Sequence, residues 1–153
     1  MFAGMTDIFE RIRADHDKHR TLLDIIERTH GDSRGRQELF PKLADEVRAH
    51  AHAEERTLYA ELLGERESRD DAGHSVKQHH EVEAIIEELL EKDYSGTGWL
   101  ARFRTLAEKL RQHMVQEEKE FLAVASRVLS DERKGELIAE FEGAKGDAER
   151  QVA

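Results

Sequence analysis

The feature that most restricts this chain is a spaced set of histidines and glutamates that occurs twice. His50-Ala-His-Ala-Glu54 and His113-Met-Val-Gln-Glu117 each read H-x3-E, share the wider frame R-x-H-x3-E-E-(R/K), and stand 63 residues apart. The same shift carries His16 onto His79, Leu22, Leu23 and Ile26 onto Ile85, Ile86 and Leu89, Phe40 onto Phe103, Leu43 onto Leu106, and Leu58 onto Phe121. In an α-helix, residues four apart share a face about 6 Å apart along the axis. His50 and Glu54, and likewise His113 and Glu117, therefore point an imidazole and a carboxylate into one space.

The rest of the chain reads as helix. One proline, few β-branched runs and 38% charged residues favour an all-α fold. Thr6 or Asp7 caps a first helix with Ile8, Ile12, His16, His19, Leu23 and Ile26 on one face, ending near His30-Gly31. A second helix runs to about Leu63, bent or delayed by Pro41. A third starts between Ser68 and Gly73 and ends near Tyr94. A fourth runs from about Trp99 to Leu129, and a shorter fifth, about 131–143, carries Leu137, Ile138 and Phe141 on one side. The last ten residues are expected to fray. Residues 1–153 make one domain, with the bundle at about 7–129.

Chain distances place the histidines at one level. His16 and His50 each lie about 15 residues, roughly 22 Å of helix, from the first turn. His79 and His113 stand in the same relation to the turn near Ser95, and His50 and His79 to Gly64. The expected fold is thus an up-down-up-down four-helix bundle with a short C-terminal fifth helix and a polar layer crossing its core.

Two buried carboxylates cannot both stay ionised in low dielectric without cations, so the layer reads as a two-metal site. With no cysteine, any metal is held by nitrogen and oxygen. The simplest assignment gives one ion His16 and His50, the other His79 and His113, with Glu54 and Glu117 bridging. That donor set suits iron, manganese or zinc. A net charge of −10 argues against nucleic acid or anionic membrane as partner. No apolar run approaches a membrane span and no secretory signal is visible, so a cytoplasmic location is expected.

The ordered pattern of one His, then H-x3-E, then one His, then H-x3-E resembles the haemerythrin-like, or HHE cation-binding, family over about residues 7–129. The resemblance implies two iron ions joined by an oxo or hydroxo bridge. Its members carry or sense dioxygen, remove peroxide or nitric oxide, sense iron, or supply iron for cluster repair. The oxygen carriers have H-x3-H on the third helix and H-x4-D on the fourth. Here Ser75 and Glu83 stand four residues either side of His79, and Glu117 replaces the aspartate pattern. Four imidazoles, two bridging carboxylates and one bridging oxygen supply about ten of the roughly twelve bonds that two six-coordinate irons take. The more open centre points to reaction with dioxygen, peroxide or nitric oxide, fed by an unidentified electron donor, and the alternative is an iron sensor or donor without turnover. A metal-free structural bundle is the third reading.

The remaining histidines and acids divide by position. His52 points away from His50 and is expected in solvent, as are His30 and His74 near helix ends. His79 is favoured over His80 by the repeat and the apolar phase. His19 faces inward as a hydrogen-bonded core histidine or an extra ligand. Glu83 falls on a solvated face, while Glu55 and Glu118 are placed to hydrogen-bond the ligating imidazoles.

Overall fold

The computed structural model describes residues 4–31 and 33–152. Asp7 caps α1 (Ile8–Glu27) by accepting from the Glu10 N–H (2.9 Å), and the helix closes at Arg28, a turn before His30. Ser33 caps α2 (Arg34–Arg56) by accepting from the Arg36 N–H (3.2 Å). Pro41 delays nothing, since α2 begins seven residues before it and runs on past it. The start is held by Arg36, whose buried guanidinium donates to the carbonyls of Thr29, Gly31 and Tyr94 and stacks over Trp99 at 4.7 Å. One side chain thus satisfies carbonyls beyond the ends of two helices that have no intrahelical partner.

The second helix is broken where one rod was expected. At Thr57 (φ −118°, ψ −84°) the chain restarts as α3 (Leu58–Leu63). After α4 (Arg69–Glu91), the last rod of the bundle is likewise interrupted: α5 (Trp99–Gln116) passes through a π-helical turn at Glu117–Phe121 into α6 (Leu122–Val128). Both irregularities come within about one turn of the H-x3-E motif, so the repeat extends to the backbone. A π turn rotates the downstream helix by about one residue, roughly 100°, and Phe121, Leu122 and Ala125 all remain buried there.

The bundle pairs α1 with α2, α2 with α4, α4 with α5, and α5 with α1. One apolar cluster fills the end near the two interhelical turns (Leu23, Phe40, Leu43, Ile86, Trp99, Phe103) and a second fills the other end (Ile8, Ile12, Tyr59, Leu62, Phe121, Phe141). The histidine and glutamate layer lies between them. The fifth long helix departs most from expectation: α7 (Asp131–Val152) is as long as the bundle helices and packs along α2 and α1. Leu137, Phe141, Lys145 and Ala148, at steps of three and four residues, are all buried, which explains why the segment does not fray. No described helix is long and apolar enough to cross a membrane.

Candidate metal centre

The six expected residues meet. His16, His50, Glu54, His79, His113 and Glu117 are all buried, the two glutamates almost completely. The His16 and His50 rings are 5.2 Å apart between centroids and those of His79 and His113 4.8 Å. One donor atom each from His16, His50, Glu54 and Glu117 falls within 4.8 Å of the others, and the same holds for Glu54, His79, His113 and Glu117. Both glutamates belong to both groups, the sharing that the spacing suggested.

Each imidazole is aimed by a hydrogen bond at its outer nitrogen. The Nδ1–H of His16 donates to Glu118 (2.6 Å), that of His50 to Asp15 (2.7 Å), that of His113 to the Gln78 side-chain oxygen (2.6 Å), and that of His79 to Glu55 (3.4 Å). Oxygen acceptors on Nδ1 select the tautomer whose lone pair is on Nε2. All four Nε2 atoms turn inward: His16 to 3.0 Å from Glu117, His50 to 3.1 Å and His79 to 3.3 Å from Glu54, and those of His79 and His113 to 3.2 Å of each other. Among the described residues, the buried polar side-chain atoms without a hydrogen-bond partner are Nε2 of His16 and His50, both carboxylate oxygens of Glu54, and Oε1 of Glu117. Every one belongs to this layer. Buried polar atoms are otherwise nearly always hydrogen-bonded, whereas here imidazole nitrogens and carboxylate oxygens face one another at 3.0–3.3 Å without completing hydrogen bonds, as donors aimed at a common point between them do. The donor set therefore fits a pair of cations. The remaining oxygen of Glu117 accepts from the Tyr59 hydroxyl.

The protonation pattern follows from these neighbours. Burial opposes a charge on His50, but Glu54 and Asp15 outweigh it and hold the pKa up at about 10. Burial is likewise outweighed at His79 by Glu54 and Glu55, giving about 9. At His16 it is outweighed by Glu117 and Glu118, which raise the pKa. His113, with a neutral amide behind it, is pushed down to about 3 by burial that Glu117 offsets only in part. For Glu54, burial favours the acid, yet His50 and His79 keep it well below the carboxylate range. Burial, with Glu117 and Glu54 beside it, raises Tyr59 well above its ordinary range, so the phenol keeps its proton.

The pattern matched a known family model. Residues 7–125 fit the Hemerythrin HHE cation binding domain. The chain belongs to that family. The fold agrees: a crystal structure of a hemerythrin HHE cation binding domain-containing protein from Mycobacterium kansasii superposes with a TM-score of 0.85 over 96% of this chain and 90% of that one, at 20% identity. A curated relative, named a DNA nickase, from Nostoc sp. is 27% identical over 149 residues, 95% of this chain. The chain spans 41% of that relative's length.

Within this HHE chain the other polar residues sort cleanly. His79 is buried and His80 exposed, and His30 and His74 are exposed. His52 is half-buried rather than solvated, at the lining of a cavity. His19 is buried, edge-on to His50 at 5.1 Å, with Nε2 3.3 Å from Glu46. Burial lowers its pKa to about 4, and it stands outside both donor groups. Glu83 chelates the Arg48 guanidinium (2.6–3.0 Å). Glu55 and Glu118 contact the His79 and His16 rings as the spacing suggested, whereas Asp15, Gln78 and Tyr59 were missed. A signal existed for two of them: Asp15 and Gln78 each precede the first histidine of a half and are themselves 63 apart. Tyr59 has Leu122 as its counterpart, so the repeat is silent about it.

A cavity of about 200 Å³ meets the layer between α2 and α4. Val47, Val82, Ile86, Leu110 and Met114 wall it, the four imidazoles line it, and neither Glu54 nor Glu117 does. The imidazole side is thus the open side, and the carboxylate side is closed by Tyr59.

Proposed function

We propose that this chain is a non-haem di-iron protein that reacts with dioxygen, peroxide or nitric oxide. One iron would be held by His16 and His50, the other by His79 and His113, with Glu54 and Glu117 shared between them. The observation that carries the reading is the convergence of partnerless buried Nε2 and carboxylate atoms on one layer. An iron pair would supply two-electron redox chemistry at that layer.

The chain's own residues set the terms of access and proton supply. The cavity has room for a diatomic molecule or a peroxide, since roughly 10–15 Å³ of such space already holds a water. Aliphatic side chains line its inner part and Arg48, His52, His80 and Glu83 also line it, so an entering molecule meets the imidazole edges. Tyr59 retains its proton and holds one oxygen of Glu117, fixing that carboxylate's orientation. The DNA-nickase name of the Nostoc relative is not carried over, because a chain of net charge −10 offers little counter-charge to phosphates.

Metal analysis of the purified protein, with optical spectra before and after anaerobic reduction and after mixing with dioxygen, hydrogen peroxide or nitric oxide, tests the reading. Two irons per chain and a spectral change with at least one of these molecules are expected. Two irons with no response to any of them would refute it.

A further inference from the structure

The four imidazoles are not supported alike. Those of His16, His79 and His113 rest on Glu118, Glu55 and Gln78, residues of the bundle itself. That of His50 rests on Asp15, and Asp15 is held from outside the bundle. Lys145, buried on α7, donates to Oδ1 of Asp15 at 3.0 Å and to Glu46 at 3.2 Å. Arg11 donates to the same Oδ1 at 2.5 Å and also bonds Glu142 of α7. With Oδ1 so occupied, Oδ2 is left to accept from His50. The same helix touches His50 directly, since the Phe141 ring lies edge-on at 5.6 Å between centroids.

We propose that Lys145 is a positioning residue for the metal centre, acting through Asp15 on His50, and that α7 docking and occupancy of the His16/His50 position stabilise each other. The reasoning is that of any ligating histidine: the acceptor on its outer nitrogen sets ring orientation and basicity, and loss of such a partner typically weakens metal binding 10–100-fold. Here that acceptor is itself oriented by a cation delivered from the C-terminal helix. Because coupling is reciprocal, an ion that fixes His50 also fixes Asp15 and, through it, Lys145. Among the described residues the other ion position has no such link to α7, so the effect is confined to one of the two ions.

The inference rests on metal binding by the six residues, and the test separates the two. Fe(II) is titrated anaerobically into the full metal-free chain and into Lys145→Met and Lys145→Arg. The wild type takes two ions; if it takes none, the metal reading has failed. With two ions in the wild type, Lys145→Met is expected to keep one at unchanged affinity and hold the other 10–100-fold more weakly, and Lys145→Arg to restore it. Both ions unaffected, or both weakened equally, would overturn the proposal. Should Lys145→Met not fold, amide hydrogen exchange on the wild type decides. Iron loading is expected to slow exchange across residues 131–152, and exchange there that ignores iron would overturn the proposal.

Discussion

Metal uptake by this chain should release protons, and the structure says how many. At pH 7 the metal-free protein keeps an extra proton on His50 and on His79, whose pKa values are held up at about 10 and about 9. His16 is also raised and adds part of a third. His113 is neutral already, and Glu54 is already ionised. A cation takes only the neutral imidazole, so two to three protons should leave as two ions bind. Clearing His50 and His79 at pH 7 costs about 4 and about 3 kcal/mol at roughly 1.4 kcal/mol per pH unit. The apparent affinity for the ion pair should therefore rise about 100- to 1,000-fold per pH unit near neutrality and level off above about pH 9–10. The same shifts act on folding. A histidine whose folded pKa is raised stabilises the native state fully below the ordinary value of about 6.5 and loses that contribution as pH climbs through the folded value. The metal-free protein should thus weaken between about pH 6.5 and 10 and the loaded protein much less. Zn(II) titration calorimetry at pH 7 in buffers of different ionisation enthalpy counts the protons directly. Release of fewer than one proton would refute the electrostatic picture of the layer.

Other perturbations have separate signatures. Gln78→Leu removes the acceptor behind His113 and should weaken one ion about 10–100-fold while sparing the other, read as a split in an Fe(II) binding isotherm. Tyr59→Phe leaves an oxygen of buried Glu117 without its donor, a loss of about 1.5–3 kcal/mol that should lower the metal-free Tm by roughly 3–12 °C. Arg36→Met strips three carbonyls of their guanidinium partner and should cost about 2–4 kcal/mol, seen as a lower urea midpoint with metal binding unchanged. Chelation of both ions, each initially at about 100 times its Kd, should remove about 5 kcal/mol of stability, and a Tm indifferent to chelator would count against a loaded native state.

How far the chain could be read depended on what its spacing encodes. A helix converts sequence separation into height and direction, so the 63-residue shift and the four-residue step to each glutamate were enough to bring His16, His50, Glu54, His79, His113 and Glu117 to one depth. The same rule distinguished His79 from His80. It also placed Glu55 and Glu118 behind the rings, and it held Asp15 and Gln78 in the repeat, one residue ahead of the first histidine of each half. The bundle was legible for the same reason: apolar residues at three and four apart permit little else.

Contacts between elements far apart in sequence were beyond that rule. Nothing local marks the break at Thr57 or the π turn at Glu117–Phe121, because both depend on how the chain must re-phase to bury Leu58 and Phe121 after presenting a carboxylate. The length of α7 was hidden because its buried residues include a lysine, which reads as solvent-facing until Asp15 and Glu46 are seen opposite it. Spacing along helices therefore determined which six side chains assemble and at what level. Only tertiary packing decided which neighbour orients each of them, since a hydrogen bond between residues 130 apart, such as Lys145 to Asp15, leaves no trace in local order.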